Sequence, residues 1–263
     1  MPYVLTLALH PDEARPFPSR PGCGLRPLAR RWPALDRLAL ADQARAGNGP
    51  PPFALSLPSW RSGRPTLRLT LLDDALWPAL ARDLVHAPTL KGPEPLLPPP
   101  TGGLRVTHRT YADLVAAARP ETHIRLRFLS PTSLRSRGMH VPLPDPLLVY
   151  RSWLDRWNAF APEALRINVV LLDVVAAHVG ITHHELHTEV VDLEDGRQVV
   201  GFVGVVEYRV FRAGKIGGRW LRRLNLLADY AVLCGTGYGT VRGMGQTARE
   251  RRRSAARRRG QGR

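Results

Sequence analysis

The segment ELHTEVVDLEDGRQVVGFVGVVEYRV, residues 185–210, contains two strand-like segments joined at Asp195-Gly196. An Asp-Gly pair between two such segments is typical of a tight β-hairpin, because both residues tolerate the backbone angles that the turn requires. The segment therefore predicts two adjacent antiparallel strands. Such a pair is stable only when other elements cover one of its faces, so the flanking sequence indicates the fold.

The sequence on both sides of this hairpin supplies the other elements of a βαββαβ unit. HIRLRFLSP, residues 123–131, predicts a strand with Ile124, Leu126 and Phe128 on one face, and a helix follows near 146–160. After the hairpin, RWLRRLNLLADYAVLC, residues 219–234, predicts an amphipathic helix with one apolar face, formed by Trp220, Leu224, Leu227 and Ala231. A short last strand completes the unit.

The N-terminal half predicts the same order of elements. Strands are expected at residues 3–9, 53–57, 66–71 and 103–110, and helices at residues 26–46 and 73–86, the second of them opened by Asp73 or Asp74 as N-cap. A chain of 263 residues is long enough for two such domains. The sequence therefore predicts two α+β domains in tandem, at 1–120 and 121–248, before a disordered basic tail at 249–263.

The charge of the chain favours a polyanionic partner. The 38 Lys and Arg outnumber the 22 Asp and Glu, which gives a formal net charge of +16. Residues 249–263 hold eight Arg and one Glu, and we expect this tail to add salt-dependent, sequence-independent affinity. The rest of the excess lies in the folded part and favours nucleic acid, with acidic substrates as the alternative.

The cysteines and the first residues limit the class of protein. Cys23 and Cys234 are the only cysteines, which excludes a disulfide framework and a four-cysteine zinc site and fits a reducing cytoplasm. The apolar part of MPYVLTLALH, residues 1–10, is too short for a signal peptide or a membrane span. We expect a cytoplasmic protein without a membrane partner.

The segment CGTGYGTVRGMGQTA, residues 234–248, is unusually rich in glycine: Gly235, Gly237, Gly239, Gly243 and Gly245. It follows a predicted helix and matches neither the dinucleotide-binding fingerprint nor the P-loop. Glycines without side chains would let main-chain N–H groups approach an anionic strand, with Arg242 as a phosphate partner. The alternative is a connection that uses glycine only for its turns.

Several motifs together resemble the CRISPR-associated endoribonucleases of the RAMP superfamily that process precursor CRISPR RNA (the Cas6 family). The order GFVGVVEYRV, amphipathic helix and GTGYGTVRGMGQ is similar to that family. So are the segment HIRLRFLSPTSLRSRGMHVPLPDPLLVYRSWLDRWNAFAP, residues 123–162, and PPFALSLP, residues 51–58. The resemblance covers nearly the whole chain and is strongest at 123–248.

The resemblance implies two tandem ferredoxin-like (RRM-like) domains that bind the repeat of precursor CRISPR RNA. It implies RNA contacts from the glycine-rich segment with Arg242 and from four further basic residues: Arg135, Arg137, Arg222 and Arg223. Each single arginine is otherwise an ordinary solvated surface charge. Subunits of a CRISPR effector complex and a second copy of the chain are further expected partners, and no cofactor or metal is expected.

The resemblance also implies cleavage of RNA without a metal, through attack by the neighbouring 2′-hydroxyl. Such a site needs a base, an acid and cations around the phosphorane. Many family members supply a histidine just before the segment that matches PPFALSLP, where this chain has Ala41, and alanine cannot transfer a proton. His140, in the basic loop with Arg135 and Arg137, is the candidate catalytic histidine; otherwise it pairs only with phosphate or solvent.

Ala41 leaves three explanations open: a substituted inactive variant, a natural relative that binds RNA without cutting it, or an active enzyme with its acid and base elsewhere. A non-CRISPR RNA-binding protein of similar fold is a further alternative. His183-His184-Glu185-Leu186-His187 lacks the spacing of a zinc-protease helix and predicts a polar sheet face instead of a metal site. In GFVGVVEY, we expect Phe202 and Tyr208 to pack in the core instead of stacking on RNA bases.

Overall fold

The computed structural model describes residues 2–8, 38, 49–61, 64–86, 104–193 and 195–251. These residues form two four-stranded antiparallel sheets, one in each half of the chain, and a small two-stranded sheet. Both large sheets have the strand order of the ferredoxin-like fold, in which the first and third strands of the unit are central. The predicted class, α+β with two tandem ferredoxin-like domains, is confirmed.

The N-terminal sheet has the order β2-β3-β1-β4. Its strands and helix are β1 (Tyr3–Ala8), β2 (Phe53–Arg61), β3 (Arg64–Leu71), α1 (Trp77–His86) and β4 (Leu104–His108). Alternating leucines of the central strands, such as Leu5, Leu67 and Leu69, are buried and form its core. The predicted helix at 26–46 lies outside the described residues, except for residue 38.

The predicted N-cap of the second helix is confirmed at Asp73. Its carboxylate accepts a hydrogen bond from the main-chain N–H of Ala75, with an N···O distance of 3.1 Å. A short 3₁₀ turn at Asp74–Leu76 then leads into α1. The side chain therefore satisfies one of the N–H groups that the first helical turn leaves without a main-chain partner.

The C-terminal sheet has the order β10-β5-β9-β8. Its strands are β5 (His123–Thr132), β8 (Val179–Asp192), β9 (Gln198–Val210) and β10 (Thr247–Glu250). β6 (Leu134–Ser136) and β7 (Met139–Val141) form the small hairpin after β5. The helices that accompany them are α2 (Tyr111–Ala117), α3 (Pro146–Phe160), α4 (Leu171–His178) and α5 (Ala213–Cys234). The hairpin turn predicted at Asp195-Gly196 joins β8 to β9.

The larger core lies between the C-terminal sheet and its helices. Ile124, Leu126 and Phe128 face it from β5 and are completely buried, as the alternation in the sequence predicted. Trp153 and Trp157 of α3 are completely buried in the same cluster. Large aromatic side chains that remove this much apolar surface from water are a main source of stability in a domain of this size.

The two domains share part of this core. Tyr111, at the start of α2, donates a hydrogen bond to the carbonyl of Leu72 at 3.0 Å and lies 3.3 Å from the hydroxyl of Tyr230 on α5. Leu72 and Leu114 are buried in the same cluster as the aromatic residues of α3. Residues on both sides of the predicted domain boundary at 120 thus form one packed interior.

The predicted beginning of the basic tail at 249 is wrong. β10 continues to Glu250, and the side chain of Arg249 is 5% exposed and donates to the carboxylates of Glu121 and Asp229 at 2.8 Å. Arg251 pairs with Asp229 at 2.9 Å. These carboxylates offset the charge of both arginines, which the composition alone does not reveal.

Three elements were not predicted. The loop after β5 contains the β6–β7 hairpin, and α2 and α4 occupy connections that the sequence analysis left without structure. α2 begins with a capping box, in which Thr110 and Asp113 each accept a hydrogen bond from the main-chain N–H of the other. The pattern Thr-x-x-Asp is typical of the beginning of a helix, so the start of α2 could have been predicted from the sequence. None of the described helices has the length and apolar composition to span a membrane.

Candidate nucleic-acid interface

The glycine-rich segment follows directly on α5 and packs against the protein. Gly235, Gly243 and Gly245 are buried, and Gly237 and Gly239 are partly buried. A 3₁₀ turn at Thr240–Arg242 lies in the middle of the segment. The segment is thus an ordered part of the C-terminal domain.

Two positions show why the chain has glycine here. At Gly245, φ is 68°, and an added Cβ would overlap the carbonyl oxygen of Thr236. At Gly237, φ is 74°, and an added Cβ would overlap the carbonyl oxygen of Ser133. The close approach of main chain to main chain within the protein accounts for both glycines.

Several main-chain N–H groups of the segment already have partners inside the protein. Gly237 donates to the hydroxyl of Ser152 at 3.0 Å, Tyr238 to the carbonyl of Ser133 at 2.7 Å, and Gly245 to the carbonyl of Pro131 at 3.0 Å. These groups cannot donate to a ligand at the same time. The expectation that main-chain N–H groups bind an anionic strand is therefore wrong for Gly237, Tyr238 and Gly245.

Buried side chains of α3 hold the segment in place. The guanidinium of Arg156 donates to the carbonyl of Gly237 at 2.5 Å, and the indole of Trp153 donates to the hydroxyl of Thr236 at 2.9 Å. Val241, in the 3₁₀ turn, packs against the N-terminal core beside residues of β2. The segment therefore lies where the two domains meet.

The segment presents one aromatic side chain, Tyr238, to a group of basic residues. Its ring lies edge-to-face with the imidazole of His140, with 4.8 Å between centroids, and the guanidinium carbon of Arg135 lies 4.4 Å from the centroid of the Tyr238 ring. Arg242 donates to the Tyr238 hydroxyl at 3.2 Å, and Arg197 lies close enough to Tyr238 to interact with it electrostatically. We call these residues, with Ser133, the Tyr238 cluster: Ser133, Arg135, His140, Arg197, Tyr238 and Arg242.

His140 is held in an environment that favours its neutral form. Partial burial, followed by the positive charges of Arg135 and Arg197, lowers the pKa of His140 below its usual value of 6.5. Its Nδ1 lies 3.1 Å from the hydroxyl oxygen of Ser133. Nε2 has no hydrogen-bond partner among the described residues, so a neutral ring can accept a proton there.

The cluster carries uncompensated positive charge. Arg197 pairs with Asp195 at 2.6 Å, and this hydrogen bond lowers the pKa of Asp195 to about 2. Within the described part of the chain, Arg135 and Arg242 make no ion pair with a carboxylate. Two arginines beside a neutral imidazole form a site that attracts an anion.

The structure brings together only some of the predicted RNA-binding residues. Arg135, Arg242 and His140 meet at Tyr238, and Arg137 lies in the exposed turn of the β6–β7 hairpin. Arg222 and Arg223 lie twelve and eleven positions before the end of α5, about 17 Å along the helix from its C-terminal end. Arg223 packs over Trp220 at 5.0 Å. Ala41 lies outside the described residues.

Two further interpretations concern the C-terminal sheet. In β8, His183 pairs with Glu185 and His187 with Glu189, both at 3.1 Å, and no group of three possible metal ligands occurs within the described ranges. Phe202 and Tyr208 of β9 are buried in the core, as predicted.

Sequence reasoning missed Ser133, Arg197 and Tyr238. Arg197 comes directly after the Asp-Gly turn of the β8–β9 hairpin, and Ser133 lies between β5 and β6. The three segments that form the cluster are distant in sequence. For Tyr238, the local sequence gave one indication, which is that a large aromatic residue stands among five glycines.

Two comparisons with known proteins, one with family models and one with solved structures, point to the same family. The family model of the CRISPR-associated endoribonuclease Cas6 matches residues 126–247. A search of curated proteins found no match. A Thermus Cas6 product complex is 28% identical, covers 95% of this chain and 100% of its own, and superposes with a TM-score of 0.71.

Two further solved structures are similar over the same length. A Cas6 substrate mimic complex is 27% identical, covers 95% of this chain and 99% of its own, and has a TM-score of 0.67. A Cas6 mutant with alanine in place of a histidine is 27% identical, with the same coverage and a TM-score of 0.68. The resemblance predicted from the sequence is thus confirmed: this chain is similar to the CRISPR-associated endoribonuclease Cas6.

Proposed function

We propose that this protein binds the repeat of precursor CRISPR RNA and cleaves it at the Tyr238 cluster. The observation that carries the proposal is the position of a neutral imidazole, His140, beside Arg135 and Arg242 at the junction of the two domains. The similarity to Cas6 product and substrate mimic complexes supports an RNA repeat as the ligand. The net charge of +16 supports binding to a polyanion.

The proposed chemistry is transesterification within the RNA. Nε2 of His140 accepts the proton of the 2′-hydroxyl, whose oxygen forms a bond to the adjacent phosphorus. The bond between phosphorus and the 5′-oxygen breaks, and the 5′-oxygen leaves with a proton from solvent. The products are a 2′,3′-cyclic phosphate and a 5′-hydroxyl. This route needs no metal, because the nucleophile is part of the substrate.

The arginines and Ser133 have separate roles in this proposal. Arg135 and Arg242 stabilise the negative charge that grows on the phosphorane oxygens. Ser133 holds Nδ1 of His140 and so fixes the ring that presents Nε2. Arg197, which also pairs with Asp195, contributes less charge to the phosphate.

The form of the RNA is part of the proposal. The bases of an A-form duplex are hidden in a deep and narrow major groove, so proteins read RNA sequence mainly in single strands, loops and the ends of hairpins. We propose that the repeat is recognised as a short hairpin or as a single strand, with the cleaved bond at Tyr238.

The alternative is a relative that retains repeat RNA without cutting it. Ala41, at the position where the resemblance implies a histidine, favours this alternative. It is compatible with the same RNA-binding surface, because Arg135 and Arg242 bind phosphate whether or not a base is present.

Incubation of the protein with end-labelled repeat RNA in EDTA tests the proposal. We expect a single product with a cyclic or 3′-phosphate end, and His140→Ala should lower the rate about 10²–10⁴-fold. His123→Ala is the matched control, because His123 is an exposed histidine of β5 outside the Tyr238 cluster, and it should cut at the original rate.

Each other result has a definite meaning. Cleavage by His140→Ala at the original rate would show that His140 is not the base. Specific retention of uncut repeat RNA by the unmodified protein would favour the alternative, a relative that binds RNA without cutting it. Strong cleavage by the Ala41→His variant would then show that alanine at position 41 is the reason why the unmodified protein does not cut. Equal retention of unrelated RNA would show that the protein does not recognise the repeat.

A further inference from the structure

Arg156, on α3, is a buried arginine without a carboxylate partner. The residue is 6% exposed, and within the described part of the chain it takes part in no ion pair. Its Nε has no hydrogen-bond partner among the same residues. Burial of a cation without an anion costs free energy that an apolar side chain would not. The packing of α3 therefore does not by itself account for an arginine at this position.

The guanidinium of Arg156 and the hydroxyl of Ser152 together hold Gly237 by both of its main-chain polar groups. Nη2 of Arg156 donates to the carbonyl of Gly237 at 2.5 Å, and the N–H of Gly237 donates to the Ser152 hydroxyl at 3.0 Å. Nη1 of Arg156 donates to the carbonyl of Ser152 at 2.9 Å and to its hydroxyl at 3.3 Å. The two side chains of α3 thus hold each other as well as the glycine.

The peptide unit between Gly237 and Tyr238 connects Arg156 to the Tyr238 cluster. Its C=O belongs to Gly237 and accepts the hydrogen bond from Arg156, while its N–H belongs to Tyr238 and donates to the main-chain carbonyl of Ser133 at 2.7 Å. A peptide unit is planar and rigid, so its two ends move together. A cation at the C=O also polarises the unit and strengthens the hydrogen bond that its N–H donates.

Two contacts extend from this peptide unit to the imidazole of His140. The hydroxyl oxygen of Ser133 lies 3.1 Å from Nδ1 of His140, and the Tyr238 ring packs edge-to-face on the imidazole, with 4.8 Å between centroids. Ser133 and Tyr238 are the two residues that the N–H of the peptide unit joins. A displacement of the unit would therefore move both groups that orient Nε2.

We propose that Arg156 is a positioning residue of the cleavage site, which fixes Ser133 and the Tyr238 ring and, through them, the orientation of His140. The link to cleavage rests on the proposed function, whereas the orientation of His140 is a property of the free protein. Because Arg156 is buried, it acts without contact to RNA. Its role therefore differs from that of Arg135 and Arg242 at the phosphate.

Arg156→Met tests the inference, because methionine is a long, uncharged side chain without hydrogen-bond donors. In single-turnover cleavage of repeat RNA by saturating protein, we expect a rate about 10²-fold lower, since a small misplacement of a catalytic group costs about that much. The dissociation constant of the RNA should change far less, because the lost group is buried. Ser152→Ala removes only a hydroxyl, and it should act in the same direction with a smaller effect.

Asn158→Ala is the matched control on the same helix. The side chain of Asn158 bonds to both the N–H and the carbonyl of Ile167, at 2.8 Å each, so alanine removes two hydrogen bonds but leaves Gly237 held. This variant should be less stable and yet cut at the original rate when every variant is folded, as checked by circular dichroism. Equal slowing by Asn158→Ala would overturn the inference, because any loosening of α3 would then slow cleavage.

The titration of His140 in the free protein, followed by NMR of its ring protons, does not depend on cleavage. The signal is assigned by its loss in His140→Ala. In the unmodified chain, partial burial and the charges of Arg135 and Arg197 lower the pKa of His140. In Arg156→Met the ring should gain contact with water, so its pKa should rise towards 6.5. Asn158→Ala should leave it unchanged.

The two measurements separate this inference from the proposed function. An unchanged pKa of His140 in folded Arg156→Met and Ser152→Ala would overturn the inference, whatever the rate of cleavage. Cleavage by both variants at the original rate would overturn it as well. If the unmodified protein cuts no RNA, the proposed cleavage fails, and the pKa of His140 alone decides whether Arg156 positions the imidazole.

Discussion

The two domains have the same strand order but differ in what surrounds the sheet. The described part of the N-terminal domain has a small aliphatic core and one helix of 10 residues. The C-terminal domain packs helices of 15 and 22 residues on an aromatic core and adds the β6–β7 hairpin and the glycine-rich segment. The candidate site lies on these additions. A shared topology thus supplies a rigid frame, and the segments added to one copy carry the chemistry.

Among the variants that test this difference between the domains, the largest expected effect is the loss of stability on substitution of Gly245 in the glycine-rich segment. Gly245→Ala should lower the free energy of unfolding by about 2–5 kcal/mol, because the new Cβ overlaps the Thr236 carbonyl at a positive φ. Thermal or urea denaturation measures the loss.

Gly138→Ala is the matched control. Gly138 also has a positive φ, of 80°, but an added Cβ there has no heavy atom within 4 Å. Only the backbone penalty of about 1–2 kcal/mol should remain. Equal losses in the two variants would mean that the packing of the glycine-rich segment does not stabilise the domain.

The next effect concerns the core that the domains share. Tyr111→Phe removes the hydrogen bond to the Leu72 carbonyl and leaves that oxygen without this partner, so it should cost about 1–3 kcal/mol. Burial raises the pKa of Tyr111, in accord with a hydroxyl held away from water. Calorimetry should show one transition that moves as a whole.

Tyr3→Phe serves as the control in the N-terminal domain. The Tyr3 ring stacks on Trp77 at 4.7 Å, and phenylalanine keeps that contact. The change should stay within about 0.5 kcal/mol. A second, separate transition in Tyr111→Phe would show that the domains unfold independently.

A smaller effect, on RNA binding, should distinguish Arg242, which follows α5, from Arg222, which lies within this helix. Arg242→Ala should weaken repeat RNA binding and reduce the slope of log affinity against log salt by about one, because one phosphate contact is lost. Arg222→Ala should change neither quantity, since Arg222 lies about 18 Å along α5 from the end of the helix, where the segment begins. Filter binding at several salt concentrations measures both. A larger loss for Arg222→Ala would place the RNA on the other end of the helix.

The smallest effect is a shift in pH dependence. His140 acts as a base only when neutral, so cleavage should rise with pH through an inflection below 6.5, where burial and the neighbouring arginines hold its pKa. Arg135→Gln removes one positive neighbour, so the inflection should move to higher pH. Single-turnover rates at several pH values measure it. An inflection that moves to lower pH, or not at all, would contradict the role of Arg135.

The sequence predicted the elements that have strong local signals. The alternation in 123–131 and the amphipathic face of 219–234 were sufficient, because one face of each element is buried against the core. The Asp-Gly turn was sufficient because Gly196 adopts the positive φ, of 77°, that a tight turn requires. α2 and α4 are short and were missed. The regular part of α5 begins after Gly217, whose non-helical backbone separates the first turn from the rest.

The site was only partly predictable, because its members meet through tertiary structure. Arg135 and His140 face each other across the β6–β7 hairpin, and Arg242 comes from the glycine-rich segment. A basic loop and a glycine-rich motif indicated these three. No periodicity or spacing relates Arg197 to them, because only the packing of the β8–β9 hairpin beside Tyr238 brings it there.

The hydrogen bond from Tyr111 to Leu72 has a consequence for any attempt to divide the molecule. A fragment that begins at 121 would lack Leu72, Tyr111 and Leu114, whose side chains fill the space beside Trp157 and Tyr230. The aromatic rings left uncovered would form an exposed hydrophobic patch, so such a fragment would aggregate. The chain contains the same topology twice, yet neither half could be exchanged or removed without exposing the core that the two halves share.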